Sequence, residues 1–190
     1  MVRHHEVSQN SEEWLQLREG LYTGSNADKL LAGDGAIKIV DGSISGYASA
    51  ESSGFGGNFH TKRGHILEEQ AIEIYEAVTG RVGLKAGFVT NSKYPRCGYS
   101  PDDIHPDRTV EVKCFIVEKH LKMYEGDIPR KVLAQCHFGM LICGVKLCDL
   151  VIYNPDIEDN KKAFKIITIK YNPTIAQNFR RKLKAQETKT

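Results

Sequence analysis

The sequence predicts an α/β protein, a central mixed β-sheet flanked by helices, and three observations carry that prediction. Short apolar, β-branched runs bounded by Gly, Pro, Asn and Asp read as strands, as at 147–153. Apolar residues at three- and four-residue spacing read as helices, as at 65–78. The segments follow the order α, β-β-β, α, β-β, α, a pattern in which helices and strands share one core.

Ser11 is an N-cap ahead of Glu12 and Glu13, and the first helix continues through Trp14, Leu17 and Arg18 to Gly20. Thr23-Gly24-Ser25 caps a second short helix over 26–31. From 33 to 61 the chain is rich in Gly and Ser, as in Ser52-Ser53-Gly54-Phe55-Gly56-Gly57. A long mobile loop is expected there, with a short strand at 37–40; loops of such length are commonly functional or partly disordered. The third helix, 65–78, closes at Gly80, where φ > 0 is favoured. Strands are expected at 82–90, 96–100 and 109–115. After a polar connection, Asp127 and Pro129 open a helix that reaches Cys143. Strands at 147–153 and 163–170 flank the turn Asn154-Pro155-Asp156, and Pro173 introduces a basic C-terminal helix over 173–187. No internal repeat or domain boundary is visible, so one domain over 1–190 is expected.

The net charge of +2 does not by itself announce a nucleic-acid binder. Its distribution says more. Arg180, Arg181, Lys182, Lys184 and Lys189 against Glu187 give 178–190 a net of +4, leaving −2 for the rest of the chain. That helix could lie along phosphates, or be a solvated end whose cations oppose the macrodipole. No apolar run is long enough to span a bilayer, and Met1-Val2-Arg3-His4-His5-Glu6 lacks the apolar core of a signal peptide. Cys97, Cys114, Cys136, Cys143 and Cys148 are scattered, with no Cys-x-x-Cys pair. They fit reduced, buried thiols and argue against a structural zinc or a cysteine-bound iron–sulfur cluster. A cytoplasmic protein without membrane association is expected.

The richest stretch is Ser100-Pro101-Asp102-Asp103-Ile104-His105-Pro106-Asp107-Arg108-Thr109-Val110-Glu111-Val112-Lys113. On a strand, residues two apart share a face, so Glu111 and Lys113 project together while Val110, Val112 and Cys114 face the other way. A turn can bring Asp102 back beside Glu111. Paired carboxylates suit a hard divalent cation such as Mg²⁺, and an adjacent ammonium can stabilise developing charge or help activate water. A bare Glu-x-Lys is also common on the solvated face of a sheet.

Helical spacing offers a third acid. Counting from Glu68 reaches Ala71, Ile72 and Tyr75, an inward stripe, whereas Glu69 leads to Glu73 and Glu76 on the polar face. An inward carboxylate needs a partner: a metal shared with Asp102 and Glu111, or else Lys113 or Arg63. Gln135 lies on a semi-apolar helix side with Val132, Phe138, Gly139 and Ile142, where it could orient water or phosphate or merely bond to backbone. His137 is offset from that side and reads as structural or exposed. The histidines show no metal-ligand spacing, although His60 and His65 flank the entry of the third helix.

In order along the chain, Trp14-Leu15-Gln16-Leu17-Arg18-x-Gly20, Thr23-Gly24-Ser25, Arg63-Gly64-x-x-x-Glu68, Ser100-Pro101-Asp102, Glu111-Val112-Lys113-Cys114 and Ala134-Gln135-x-x-x-x-Met140 resemble the phage lambda exonuclease group of the PD-(D/E)-x-K nuclease superfamily, the viral recombinase or alkaline-exonuclease type. The resemblance implies a restriction-endonuclease-like αβββαβ core. It implies that Asp102, Glu111 and the Val112 carbonyl bind Mg²⁺, with Mn²⁺ able to substitute. Lys113 would polarise the attacking water or the scissile phosphate, Glu68 would serve a second metal position, and Gln135 would stand beside that centre. Arg18 and Ser25 match positions that bind a phosphate of the DNA end, with Ser100 beside them. Asp103 departs from the small residue usual after Pro-Asp, and 33–61 aligns with nothing in the family.

The implied activity is a Mg²⁺-dependent 5′-to-3′ exonuclease acting on linear double-stranded DNA in viral recombination or replication. An endonuclease of the same fold acting on branched or single-stranded DNA is the alternative, and a non-catalytic DNA-end-binding accessory protein is the second. A single-strand annealing protein is the partner implied besides DNA. Monomer and DNA-encircling ring both remain open, and host cytoplasm is the implied location.

Overall fold

The computed structural model describes residues 1–32, 59–84 and 86–187, so the expected loop with its strand at 37–40 lies outside the described residues as far as residue 58. In chain order the elements are β1 (Val2–His5), α1 (Glu12–Arg18), the 3-10 turn Gly24–Asn26, α2 (Ala27–Ala32), α3 (Phe59–Thr79), β2 (Phe88–Asn91), β3 (Gly98–Tyr99), β4 (Asp103–Ile104) and β5 (Arg108–Lys113). They continue with α4 (Val117–Tyr124), α5 (Arg130–Cys143), β6 (Leu147–Tyr153), α6 (Asn160–Ala163), β7 (Phe164–Lys170) and α7 (Pro173–Glu187).

The protein is mixed α/β with helices flanking its strands, as the sequence predicts, and the strands divide into two sheets. One is antiparallel in the order β1-β2-β3. The other runs β4-β5-β6-β7, with β5 and β6 parallel and the outer pairs antiparallel. On this second sheet, Ala71 and Tyr75 of α3 pack against Val110, Val112 and Val151. On its other face, Cys136 and Met140 of α5 and Met123 of α4 cover Cys148, Leu150 and Ile152. A third cluster joins Val89 and Tyr99 of the first sheet to Phe138 and Ile142 of α5 and Phe179 of α7. Helix α5 is therefore the shared wall of two cores.

Local chemistry explains the boundaries. The Ser11 hydroxyl accepts the Trp14 N–H at 3.2 Å, and Glu12 and Glu13 favour the positive end of α1. Gly144 ends α5 at φ 73, a conformation that costs any residue with a Cβ. Several expectations need correcting. Helix α3 starts at Phe59, ahead of the expected residue 65. The strand expected at 82–90 is only Phe88–Asn91: Val82 and Leu84 are exposed, and Leu84 N–H instead donates to Ile104 O at 2.8 Å. β1, β4, α4 and α6 had no counterpart in the sequence reading. No helix among the described residues is long and apolar enough to cross a membrane.

Candidate active site

The centre forms where the β4–β5 ladder opens. β4 pairs with β5 at Asp103↔Val110 and Ile104↔Thr109. Continuing that register would set Pro101 against Val112, but proline has no N–H to offer. The Pro101 carbonyl turns away to accept from Gln9 Nε2 at 2.8 Å. The Asp102 carboxylate takes the vacated place, its Oδ2 accepting the Val112 N–H at 2.6 Å. A residue in an antiparallel ladder presents its N–H and C=O to the same neighbour, so the Val112 carbonyl shares this open edge with Asp102. Asp103 is committed elsewhere: Oδ1 accepts the Ile104 N–H at 2.8 Å, and Oδ2 stands 3.0 Å from His105 Nε2. Of the two adjacent acids, Asp102 is the one at the opening.

Glu111 is 1 % exposed, and both of its oxygens are engaged. Oε1 meets Lys113 Nζ at 2.5 Å, and Oε2 accepts the Tyr99 hydroxyl at 2.5 Å. Tyr99 is wholly buried, and two glycines admit its ring: a Cβ on Gly24 or Gly139 would lie 2.8 Å or 2.5 Å from it. Sequence reading missed Tyr99 because a tyrosine in a buried strand reads as core. The available signal was its place one residue before Ser100-Pro101-Asp102, where a buried hydroxyl must find an acceptor.

Burial opposes the Lys113 ammonium, but Glu111 and Asp102 outweigh it and hold its pKa above the ordinary value. Burial, and then the Glu111 charge, push Asp102 well above the usual carboxylate range. The same two causes raise Tyr99, which stays a proton donor. Burial also raises Glu68, against the pull of His65 and Lys113. The centre thus sets three carboxylates against one ammonium. An oxygen-only donor set with uncompensated negative charge suits a hard divalent cation. Among the described residues no three His, Cys, Asp or Glu side chains converge on one point. Asp102 and Glu111 are drawn instead onto the Val112 N–H, Lys113 and Tyr99.

Glu68 requires a correction. The buried stripe of α3 is Leu67, Ala71 and Tyr75, so Glu68 flanks it rather than lying on it. Its side chain is 39 % exposed and meets His65 Nδ1 at 3.3 Å, while Arg63 pairs with Asp156. α3 covers the face of the sheet opposite α5, and Glu68 acts on Lys113, Glu111 and Asp102 through charge alone. Glu69 is exposed.

A second group gathers at Ser100. Its Oγ accepts from Arg18 Nη1 and from Trp14 Nε1, each at 3.0 Å, and the Arg18 guanidinium lies 4.0 Å over the Trp14 ring. The Trp14 indole N–H is thus a further positioning group, which the sequence reading did not single out. Ser25 lies inside the 3-10 turn, its hydroxyl 3.2 Å from that of Thr23. The turn is tied to the strand leading to Ser100, because Tyr22 N–H donates to Arg96 O at 2.8 Å and Gly98 N–H to Tyr22 O at 3.0 Å. Gln135 is half-buried, with its Cγ against Gly24. His137, read as structural or exposed, is buried at 6 % exposure.

Among solved structures, this fold is similar to an alkaline exonuclease, LHK-Exo, from Laribacter hongkongensis, with a TM-score of 0.75 and 20% identity over 94% of this chain and 92% of that one. The same enzyme in complex with dAMP gives a TM-score of 0.78 at the same identity and coverage. A phage-related exonuclease from Haemophilus somnus 129PT gives 0.57 at 14% identity, over 90% of this chain and 93% of that one. No curated protein sequence matches. The YqaJ-like viral recombinase domain matches residues 13–146, and since that match takes in the 3-10 turn, the ladder opening and Gln135, the chain belongs to the YqaJ-like viral recombinase domain family.

Proposed function

We propose that this chain is a Mg²⁺-dependent deoxyribonuclease that digests linear double-stranded DNA from its ends, 5′-to-3′, in viral recombination or replication. One observation carries the reading: at the opening of the β4–β5 ladder, Asp102 and Glu111 crowd a single ammonium, with a main-chain carbonyl on the same edge. The family and the exonuclease fold support it.

Asp102, Glu111, Glu68 and the Val112 carbonyl would hold the cation, with Mn²⁺ able to replace Mg²⁺. When bound, such an ion supplies Lewis acidity toward the scissile phosphate and acidifies water. Lys113, held charged by its neighbours, donates to the attacking water or to a phosphoryl oxygen and offsets negative charge as it develops. Tyr99 fixes Glu111 by donating to Oε2. Gln135 orients a polar group of the substrate from α5. Arg18, with Ser25 and Ser100, receives the terminal 5′-phosphate, since a guanidinium grips phosphate oxygens as a fork. Stacking on Trp14 fixes the plane of that fork in advance.

The test uses end-labelled linear DNA and closed-circular DNA with Mg²⁺. Mononucleotides from the linear DNA alone are expected. Nicked circles would establish an endonuclease instead, and binding without cleavage would establish an end-binding accessory protein. A 5′-phosphorylated end should be degraded faster than a 5′-hydroxyl end, and Arg18→Ala should erase most of that difference.

A further inference from the structure

Helix α5 presents two working faces. Gln135 and Gly139 look toward Gly24 and Tyr99, whereas Arg130 and His137 line a cleft facing Asn178, Arg181 and Lys182 of α7. Among the described residues none of Arg130, Arg181 and Lys182 pairs with a carboxylate, so the cleft concentrates positive charge without an internal counter-ion. It also takes in the first turn of the 14-residue helix α5, whose N-cap Pro129 supplies no side-chain hydrogen bond. The opening N–H groups of such a helix attract anions.

The independent sign of a ligand is His137. It is 6 % exposed, and its buried Nδ1 has no hydrogen-bond partner. Buried polar atoms are nearly always satisfied. An orphaned imidazole in the wall of a cationic cleft therefore marks a place for a ligand rich in oxygen acceptors. Two arginines suit a phosphate, whose oxygens match the planar fork of a guanidinium.

We propose that this cleft binds a phosphodiester of the substrate strand outside the scissile centre. The assignment rests on the nuclease reading and deepens it: the cleft lies on the side of α5 away from Gln135, so a strand leaving the scissile centre crosses that helix before Arg130, Arg181 and Lys182 hold its backbone. The subsite positions DNA and performs no chemistry.

The experiment measures binding of a fluorescent duplex oligonucleotide to the full chain in EDTA across a salt series. Each phosphate contact contributes about one unit to the slope of log K against log salt. Arg130→Ala with Arg181→Ala should weaken binding roughly tenfold and reduce that slope by about two. Unchanged affinity and slope would overturn the proposal. Because His137→Gln could disturb folding, the wild-type His137 ring is followed directly by imidazole nitrogen NMR. A shift with the oligonucleotide supports the subsite. A shift with inorganic phosphate but none with the oligonucleotide would overturn the strand assignment and leave a free-phosphate pocket. Digestion of linear DNA by the wild type is scored separately, so loss of the nuclease reading and loss of this subsite give different results.

Discussion

Glu111 and Asp149 lie on neighbouring strands of one sheet, both almost fully buried, and their surroundings are opposite. Asp149 faces α3 and is saturated with donors: Thr168 Oγ1 at 2.7 Å on one oxygen, and Tyr75 OH at 2.7 Å and Arg108 Nη1 at 2.9 Å on the other. Burial pushes its pKa up, but those three donors outweigh it and hold it below the usual carboxylate range. Glu111 faces α5 and shares Lys113 with Asp102, whose own pKa is driven up by burial and by Glu111. One carboxylate is neutralised by its own fold. The other belongs to a set that the fold leaves short of positive charge, and a deficit of that kind marks a place prepared for something the chain does not supply.

Breaking the under-neutralised set should have the largest effect. Asp102→Asn, Glu111→Gln and Lys113→Ala are each expected to lower the rate of DNA digestion by about 10²–10³. The stability of Asp102→Asn should move the other way. A carboxyl whose folded pKa is raised withdraws stability as pH climbs through that pKa. Asp102→Asn should therefore melt at the wild-type temperature or higher at pH 8 in EDTA. The amide oxygen can still accept the Val112 N–H. A clearly lower melting temperature would show that Asp102 is a structural acid like Asp149.

The opposite result is expected of Asp149→Asn. Removing one partner of a buried pair strands the other, at a cost of about 3 kcal/mol, here with Asp107 left to retain part of Arg108. Urea unfolding at neutral pH measures it. Because the folded pKa of Asp149 is depressed, its contribution is present above the ordinary carboxylate value, roughly 4, and is lost as pH falls through the folded value. The wild-type advantage should therefore shrink on acidification below that value. Turnover by the folded variant should stay near that of the wild type.

The two carboxylates also differ in how far sequence could find them. Asp102, Glu111 and Lys113 were legible because a strand places Glu-x-Lys on one face and Pro101 interrupts the ladder beside it. Asp149 sits within an apolar strand, and its partners Tyr75, Arg108 and Thr168 come from three other elements, a convergence that local pattern does not encode. The fold divides similarly. α5 has Pro129 before it and Gly144 after it, and β6 is an apolar run interrupted only by Asp149. α4 was missed because it is short, three of its eight residues are charged and only His120 and Met123 are buried. β4 is two residues long, and β1 is a polar strand recognisable only through its pairing with β2.

Tyr99 sharpens the comparison, since it contributes to Glu111 the kind of hydroxyl donor that Tyr75 contributes to Asp149. Tyr99→Phe keeps the packed ring between Gly24 and Gly139 and removes only the hydrogen bond. A hydrogen bond to a charged group is worth about 1.5–3 kcal/mol. If that is felt at the reacting centre, the rate should fall roughly 10- to 100-fold, with KM for DNA unchanged. An unaltered rate would reduce Tyr99 to packing.

The smallest effect is expected at Glu68, and it tests how far the deficit of charge extends. Glu68 projects from the helix on the opposite face, is 39 % exposed and already meets His65. It nevertheless senses the charges of Lys113 and Glu111. Glu68→Gln should lower the rate about tenfold, less than the roughly 10²–10³ expected for Asp102→Asn. The Mg²⁺ concentration for half-maximal rate should rise with it. Glu69→Gln, one residue on and exposed, should change neither quantity. Equal losses from the two variants would show that general negative charge on α3 matters rather than a placed carboxylate. A loss at Glu68 with no change in Mg²⁺ requirement would tie its role to His65 and the start of the helix instead.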